Sequence, residues 1–108
     1  MKKEPPYYAV IFTSVHTEQT KGYKAMAQQM ETLAKQQVGY LGLDHARSEI
    51  GITISYWKTL EDIRRWKQQT DHLAAQQLGQ QQWYKNYQVQ IAKVERVYGF
   101  EAKEKNNE

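Results

Sequence analysis

Residues 40–66, YLGLDHARSEIGITISYWKTLEDIRRW, decide the fold. Apolar residues alternate with other residues over Tyr40–Ser48 and again over Ile50–Lys58, the period of two that is typical of β-strands. The polar junction at Ser48–Glu49 is short, so the two strands should form a hairpin. Thr59 offers a hydroxyl that can cap a helix, and two acidic residues follow where the helix dipole favours them. The stretch therefore predicts two strands and then a helix.

The residues before this stretch predict a strand and a helix. Tyr7–Val15, YYAVIFTSV, is rich in β-branched and aromatic residues, and its apolar residues fall on both alternating sets. That pattern is typical of a strand buried on both faces. Over Lys21–Gln37 the apolar positions recur every three or four residues, as on one face of a helix, and Gly39 is a suitable stop.

The residues after the hairpin carry two apolar stripes at helical spacing. The first stripe comprises Leu60, Ile63, Trp66, Thr70 and Leu73. The second stripe comprises His72, Ala75, Gly79 and Trp83. The two stripes differ by more than a right angle, so one straight helix cannot turn both toward the core. We therefore predict a break or kink near Thr70–Asp71, a second helical piece to about Gln82, and a long strand over Asn86–Phe100.

The resulting order, β-α-β-β-α-β, predicts an α+β domain with the ferredoxin-like arrangement. Both helices would cover one face of the sheet, because both crossovers should be right-handed. The other face would keep apolar residues, which favours a two-fold homodimer. We expect the domain to span residues 7–100, with flexible tails at 1–6 and 101–108.

Composition excludes several classes of protein. The 108 residues are enough for one domain, and the 40% hydrophobic and 25% charged fractions are ordinary for a folded one. No cysteine is present, which excludes disulfides and cysteine nucleophiles. The net charge of +3 comes from basic and acidic residues that are mixed along the chain, so we expect no nucleic-acid partner. The longest apolar run, about Tyr7–Phe12, is too short for a membrane helix, and we expect a soluble cytoplasmic protein.

The sequence contains no phosphate-binding glycine loop, no HExxH, no GxSxG and no paired metal-ligand motif. We therefore expect neither a metal nor a cofactor. His72 is the candidate catalytic residue, because it belongs to the stripe that includes Gly79 and Trp83. A histidine beside aromatic rings can move a proton near neutral pH. The alternative for His72 is a histidine on an exposed or half-buried helix face.

Five residues are candidates for substrate binding: Trp66, Trp57, Trp83, Arg47 and Tyr56. The tryptophans could shape an apolar pocket, although tryptophan is also common in cores and interfaces. Arg47 could hold an anionic substrate, or it could form a salt bridge at a sheet edge or dimer interface. Tyr56 could donate a phenolic proton, but its spacing does not distinguish it from the other tyrosines.

The segment Tyr56–Trp66, YWKTLEDIRRW, resembles the strand-to-helix signature of the antibiotic-biosynthesis-monooxygenase (ABM) family. Further segments agree in order: YYAVIFTS, GYLGLDHARS, GITISYW, the spacing H-x-x-A-x-x-x-G-x-x-x-W-Y-x-x-Y, and KVERVYGF. Together they resemble the YqjZ-like branch of that family over about residues 7–100.

The resemblance implies a dimeric α/β-barrel in which each subunit has a cavity between its sheet and its helices. Some relatives oxidise aromatic, polyketide-like substrates with molecular oxygen and without a metal or flavin. Others bind haem in that cavity and degrade it. Haem-degrading relatives carry an Asn on the first strand, a helical Trp, and a His ten residues after it. Trp66 matches the Trp, but Gln76 stands in the place of the His, and the first strand offers Thr13 and Ser14.

Two functions follow as expectations. The first is a cofactor-independent monooxygenase that acts on a small aromatic or polycyclic compound, with His72 as the base. The second is a dimer that holds a small apolar ligand or haem without transforming it, or a haem-degrading relative with altered ligands. Both expectations place the ligand in the cavity between the sheet and the helices.

Overall fold

The alternating segments form one antiparallel sheet, and the helical segments connect its strands. The structure, a computed structural model, describes residues 3–76 and 82–103. The elements are β1 (Tyr7–His16), α1 (Tyr23–Lys35), β2 (Tyr40–Arg47), β3 (Gly51–Trp57), α2 (Leu60–Gln76) and β4 (Tyr84–Val94). The strand order is β2-β3-β1-β4, with β1 paired to both β3 and β4. The prediction of an α+β, ferredoxin-like fold is confirmed.

The sheet has two unlike faces, which the register of its strands defines. The helix-side face comprises Val10, Phe12, Ser14, Arg47, Gly51, Thr53, Ser55, Trp57, Tyr87, Val89 and Ile91. The open face comprises Ala9, Ile11, Thr13, Ile52, Ile54, Tyr56 and Ala92. Trp57 identifies the helix side, because its ring stacks on Trp66 of α2 at a centroid distance of 5.6 Å.

The start of α2 follows from its sequence. The Thr59 hydroxyl accepts a hydrogen bond from the Asp62 backbone N–H at 3.0 Å and donates one to the Asp62 carboxylate at 2.8 Å. The predicted capping role of Thr59 is therefore confirmed. Asp62 is buried against Gly39, whose φ of 85° and missing side chain leave room for the carboxylate.

Of the predicted break or kink near Thr70–Asp71, the break is wrong, because α2 continues through both residues to Gln76. Leu73 and Trp83 nevertheless share one buried cluster with Met26. Trp83 can join this cluster because it lies beyond the end of α2. Its place in the helical repeat therefore does not decide which way its side chain faces. The remaining members of the second stripe, the Ala75 side chain and Gly79, lie outside the described residues, as does most of the second helical piece.

The last strand also differs from its prediction: β4 begins at Tyr84 and ends at Val94, before the predicted Phe100. Val94 pairs with Tyr7, the first residue of β1. Beyond Tyr7 lies Pro5-Pro6, whose nitrogens carry no hydrogen to donate, so β4 has no partner to continue along. Residues 95–103 have no regular secondary structure. None of the described helices has the length and apolar character to cross a membrane.

The cap geometry predicts the stability of a variant. Replacing Thr59 with Ala should lower the free energy of unfolding by about 1 kcal/mol, because the Asp62 N–H loses its acceptor. Urea unfolding at one fixed protein concentration measures the change. Thr32→Ala is the matched control, since the Thr32 hydroxyl only bonds the Gln28 carbonyl within α1. Equal stability of the two variants would contradict the capping role.

Candidate functional site

The guanidinium of Arg47 crosses the sheet at one end of the helix-side face. Arg47 ends β2 and lies opposite Gly51, which in turn lies opposite Ser14 of β1. The Arg47 side chain extends over Gly51 and donates a hydrogen bond from Nη2 to the Ser14 hydroxyl. A Cβ at position 51 would overlap with the guanidinium. The contact between β2 and β1 therefore depends on the missing side chain of the strand between them.

The backbone does not explain the glycine at position 51. The φ of Gly51 lies outside the left-handed region, in contrast to Gly22, Gly39 and Gly42. Glycine inside a strand is unfavourable, and it often marks a site where another group approaches the backbone closely. Here that group is the Arg47 guanidinium.

A ring of α1 also approaches the guanidinium, although Arg47 itself is an exposed residue. The ring of Tyr23, in the first turn of α1, lies 5.9 Å from Arg47 Cζ, which is within the range of a cation–π contact. Ser14 is 1% exposed, so its hydroxyl is a buried acceptor. Among the described residues, the four ion pairs involve other side chains, and none joins Arg47 to a carboxylate.

Aromatic rings surround His16, which follows Ser14 on β1. Its imidazole lies 4.2 Å from the Tyr23 ring and 5.5 Å from the Tyr84 ring, both measured between centroids. Tyr84 in turn lies 5.8 Å from Phe12 and 5.4 Å from Tyr87. The five rings form one continuous cluster, which we call the aromatic cluster.

The imidazole of His16 combines burial with an unused hydrogen-bonding atom. Its Nε2 is buried and has no hydrogen-bond partner among the described residues. Burial lowers the pKa of His16 below its usual 6.5, and the nearby positive charge of Arg47 lowers it further. At neutral pH the ring is therefore neutral and can accept a proton or a hydrogen bond.

The Tyr84 hydroxyl keeps its proton and can donate a hydrogen bond. Burial raises the pKa of Tyr84, and the neighbouring Tyr23 raises it further. The charge of Arg47 acts in the opposite direction but does not cancel these effects. Tyr84 stays a neutral phenol at physiological pH.

Two surfaces adjoin the aromatic cluster. A cleft of about 530 Å³ opens at the end of the sheet. Its lining consists of Val15, His16, Arg47, Ser48, Glu49, Ile50 and Lys85. On the helix-side face of β4, Tyr87, Val89 and Ile91 are 56%, 49% and 53% exposed. We call these three side chains the apolar strip; they remain exposed although they lie on the same face as the helices.

The predicted tryptophans take different positions. Trp57 is fully buried, donates from Nε1 to the Ser55 hydroxyl at 2.8 Å, and stacks on the half-buried Trp66. Trp83 is buried beside Tyr23 at 5.6 Å and donates from Nε1 to the Lys21 carbonyl at 2.8 Å. Trp57 and Trp66 thus lie together, whereas Trp83 belongs with the residues around Arg47.

Tyr56 lies on the open face, away from Arg47 and Trp66. Its hydroxyl donates to the Asp44 carboxylate at 2.9 Å, and its ring meets Tyr7 at 6.0 Å. Burial and this hydrogen bond raise the pKa of Tyr56 to about 12. The structure therefore does not bring Tyr56 together with the other predicted binding residues.

His72 lies on the exposed side of α2, directly before the buried Leu73. Its catalytic role stays a prediction. The sequence pattern does not indicate a role in the site for His16, Ser14 or Gly51, which the structure brings to Arg47. The sequence feature that could have pointed to these residues is Gly51, a glycine at the start of a strand in the predicted hairpin.

Comparison with known proteins places these features in a family. A family model described as monooxygenase af470-like matches residues 10–104. The protein YqjZ of Bacillus subtilis, which is uncharacterised, is 46% identical over 95 residues, covering 86% of this chain and 83% of YqjZ. The resemblance to the ABM family and its YqjZ-like branch is therefore confirmed.

Solved structures share the fold at low identity. SnoaB, a cofactor-independent oxygenase from Streptomyces nogalater, superposes with a TM-score of 0.70 at 9% identity, covering 86% of this chain and 97% of SnoaB. A mutant of MhuD with two manganese protoporphyrin IX molecules bound per active site gives 0.65 at 13% identity, covering 86% and 99%. At these identities the likeness concerns the fold alone. By its family match and its YqjZ relative, the chain belongs to the af470-like, ABM-type monooxygenase family.

Proposed function

We propose that this chain is a cofactor-independent monooxygenase that acts on a small aromatic or polycyclic compound. The observation that carries the proposal is the exposed apolar strip next to the aromatic cluster. Flat aromatic side chains and aliphatic groups suit an aromatic ligand. The neutral His16 and the charged Arg47 lie at one end of this surface, where a proton could leave and negative charge could be held.

The proposed reaction balances without an added reductant. A base removes a proton from an activated CH₂ beside a hydroxyaromatic ring, which leaves an electron-rich carbanion. The carbanion gives an electron to O₂, and the two radicals combine to a peroxide. Loss of water completes the change, R₂CH₂ + O₂ → R₂C=O + H₂O. The substrate supplies all the electrons, so the protein has to bind, take the proton and stabilise the anion.

Two histidines are candidates for the base. His72 is the residue that the sequence predicts, and it lies on α2. His16 is supported by its buried, unpartnered Nε2 inside the aromatic cluster. We favour His16, because a base must lie within hydrogen-bond reach of the proton that it removes. Trp66, Trp57 and Trp83 would shape the pocket from the core, and the predicted role of Tyr56 would require access from the open face.

Single variants separate the two candidates. Oxygen uptake with 1,8-dihydroxyanthrone as the probe should fall about a hundredfold or more in His16→Gln if His16 is the base. His72→Gln should then keep most of the activity. His45→Gln, an exposed histidine on β2, is the matched control. Full activity of His16→Gln together with loss in His72→Gln would return the role to His72.

The pH profile gives an independent check. A base must be neutral to act, and the pKa of His16 lies below 6.5 because of burial and Arg47. The activity should therefore be retained as the pH falls through 6.5 and be lost only at lower pH. Measuring kcat/KM between pH 5 and 8 tests this, because that range extends to both sides of the pKa of an unperturbed histidine, about 6.5. An acid limb above 6.5 would contradict the assignment to His16.

The alternative function is a dimer that binds a small ligand or haem without turning it over. The fold of MhuD, which holds manganese protoporphyrin IX, is the observation that favours it. In this chain the buried, unpartnered His16 Nε2 is a nitrogen that could face an iron atom. A haem titration followed by absorbance separates the functions, since stoichiometric binding without oxygen uptake from 1,8-dihydroxyanthrone supports the alternative.

We further propose that the chain works as a cytoplasmic homodimer that packs through the open face. Ile11, Ile52 and Ile54 lie side by side there, and Ile52 is 41% exposed on the sheet. In the described part of the chain both helices lie on the opposite face, so apolar side chains remain without cover. A second copy of the same face would bury them.

A charge on this face tests the dimer. Wild-type protein should sediment at twice the 12.8 kDa of one chain. Ile52→Glu should shift it to a monomer, because the charge would be buried in the interface. Val38→Glu, at a position that is 75% exposed outside the sheet, should stay dimeric. A dimeric Ile52→Glu, or a monomeric wild type, would contradict the proposed interface.

A further inference from the structure

We propose that Arg47 is the anchor for a carboxylate on the ligand, and that Gly51 is the positioning residue that makes this anchor possible. The ligand would be an aromatic acid, which rests on the proposed function only in that the ring of the ligand would lie on the same exposed apolar strip, at Tyr87. The anchor itself requires binding and not turnover.

The donors of Arg47 are only partly used. A guanidinium has five N–H groups in a planar fork, and the Ser14 hydroxyl accepts from one nitrogen, Nη2. Neither the ion pairs nor the side-chain hydrogen bonds of the described residues give Arg47 a carboxylate partner. A planar carboxylate fits the remaining edge of the fork with two parallel hydrogen bonds.

The surroundings of Arg47 also favour an anion. Lys85 lines the same cleft, and the two positive charges exceed the single negative charge of Glu49. His16 lines this cleft too, and its buried Nε2 lacks a hydrogen-bond partner among the described residues. A buried polar atom without a partner is costly, and a ligand or a bound water would relieve that cost.

The ring of the ligand has a place next to the anchor. Tyr87 follows Ser14 in the same row across the sheet and stacks on Phe12 at 5.3 Å. Tyr87 is 56% exposed, so a flat ring can lie against it. An acid group at Arg47 and a ring at Tyr87 would then occupy neighbouring positions of one face. A neutral ring compound would bind only at Tyr87 and would not use Arg47.

Gly51 fixes where the anchor lies. With no side chain at position 51, the guanidinium rests on the β3 backbone between Ser14 and Tyr23. An added methyl group would displace the guanidinium from this position while leaving its charge in the protein. Because the φ of Gly51 is one that any residue adopts, alanine should be tolerated by the strand.

The test compares an acid with its matched neutral ester. Isothermal titration of the purified protein with 1-hydroxy-2-naphthoate and with its methyl ester should show the acid binding at least tenfold more tightly, as expected for charge-assisted hydrogen bonds to arginine. Phenyl phosphate serves as a second anion. If it bound more tightly than the naphthoate, the assignment to a carboxylate would be wrong.

Single substitutions test whether the preference for the acid over the ester depends on Arg47 and Gly51. Arg47→Gln and Gly51→Ala should each bring the acid and the ester within about twofold, through a loss of acid binding. Arg47→Lys should restore only part of the preference, because lysine lacks the planar fork. Arg64→Gln, which removes an exposed arginine of α2, is the control and should leave the preference intact.

The outcomes separate the anchor from the proposed reaction. An acid preference that depends on Arg47, without oxygen uptake from any aromatic acid, keeps the anchor and contradicts the monooxygenase. Equal binding of acid and ester by wild type, binding of neither, or an unchanged preference in Arg47→Gln overturns the anchor. A preference lost in Arg47→Gln but unchanged in Gly51→Ala overturns the positioning role of Gly51.

Discussion

The contact between Arg47 and Ser14 across Gly51 is the interaction on which the account of the site depends. It joins β2 to β1 over the backbone of β3 and places a cation in the layer between sheet and helices. The ring of Tyr23 covers the cation from α1. Arg47 is an exposed residue at the end of β2, but its only side-chain hydrogen bond among the described residues is to a neutral acceptor, so its charge is available to an added anion. The pKa of His16 is lowered in part by the same charge.

The uneven covering of the sheet sets where a ligand can bind. β1 and β3 lie in the middle of the strand order, whereas β4 is an edge strand. The side chains of β4 on the helix-side face stay about half exposed, although their neighbour Ser14 on β1 is buried. An apolar surface therefore remains beside the cation at Arg47. On the other face lie isoleucines of β1 and β3, where we propose that a second copy of the chain packs.

The sequence predicted the order of elements because each segment has a distinct period. The hairpin around Ser48–Glu49 and the cap at Thr59 are local features, and both were predicted correctly. The break in α2 was predicted wrongly, since Trp83 was read as part of the helix although it follows it. The early end of β4 depends on where β1 begins, which is a contact between distant parts of the chain.

The site was harder to predict than the fold, because its members meet only in three dimensions. Arg47 was selected from the sequence as a residue that could bind an anion, and the structure gives it an environment that fits this role. His16 and Ser14 looked like ordinary residues at the end of a strand. Their relation to Arg47 depends on strand register and on the missing side chain of Gly51. No period or motif in a single sequence reveals such a relation.

The most direct test of the account is a nuclear Overhauser measurement on the Arg47 side chain in the unliganded protein. We predict cross-peaks from the guanidinium protons to the Gly51 α-protons and to the Tyr23 ring. The absence of both contacts would contradict the proposed position of the guanidinium. In that case Arg47 would be an ordinary surface residue at the end of β2.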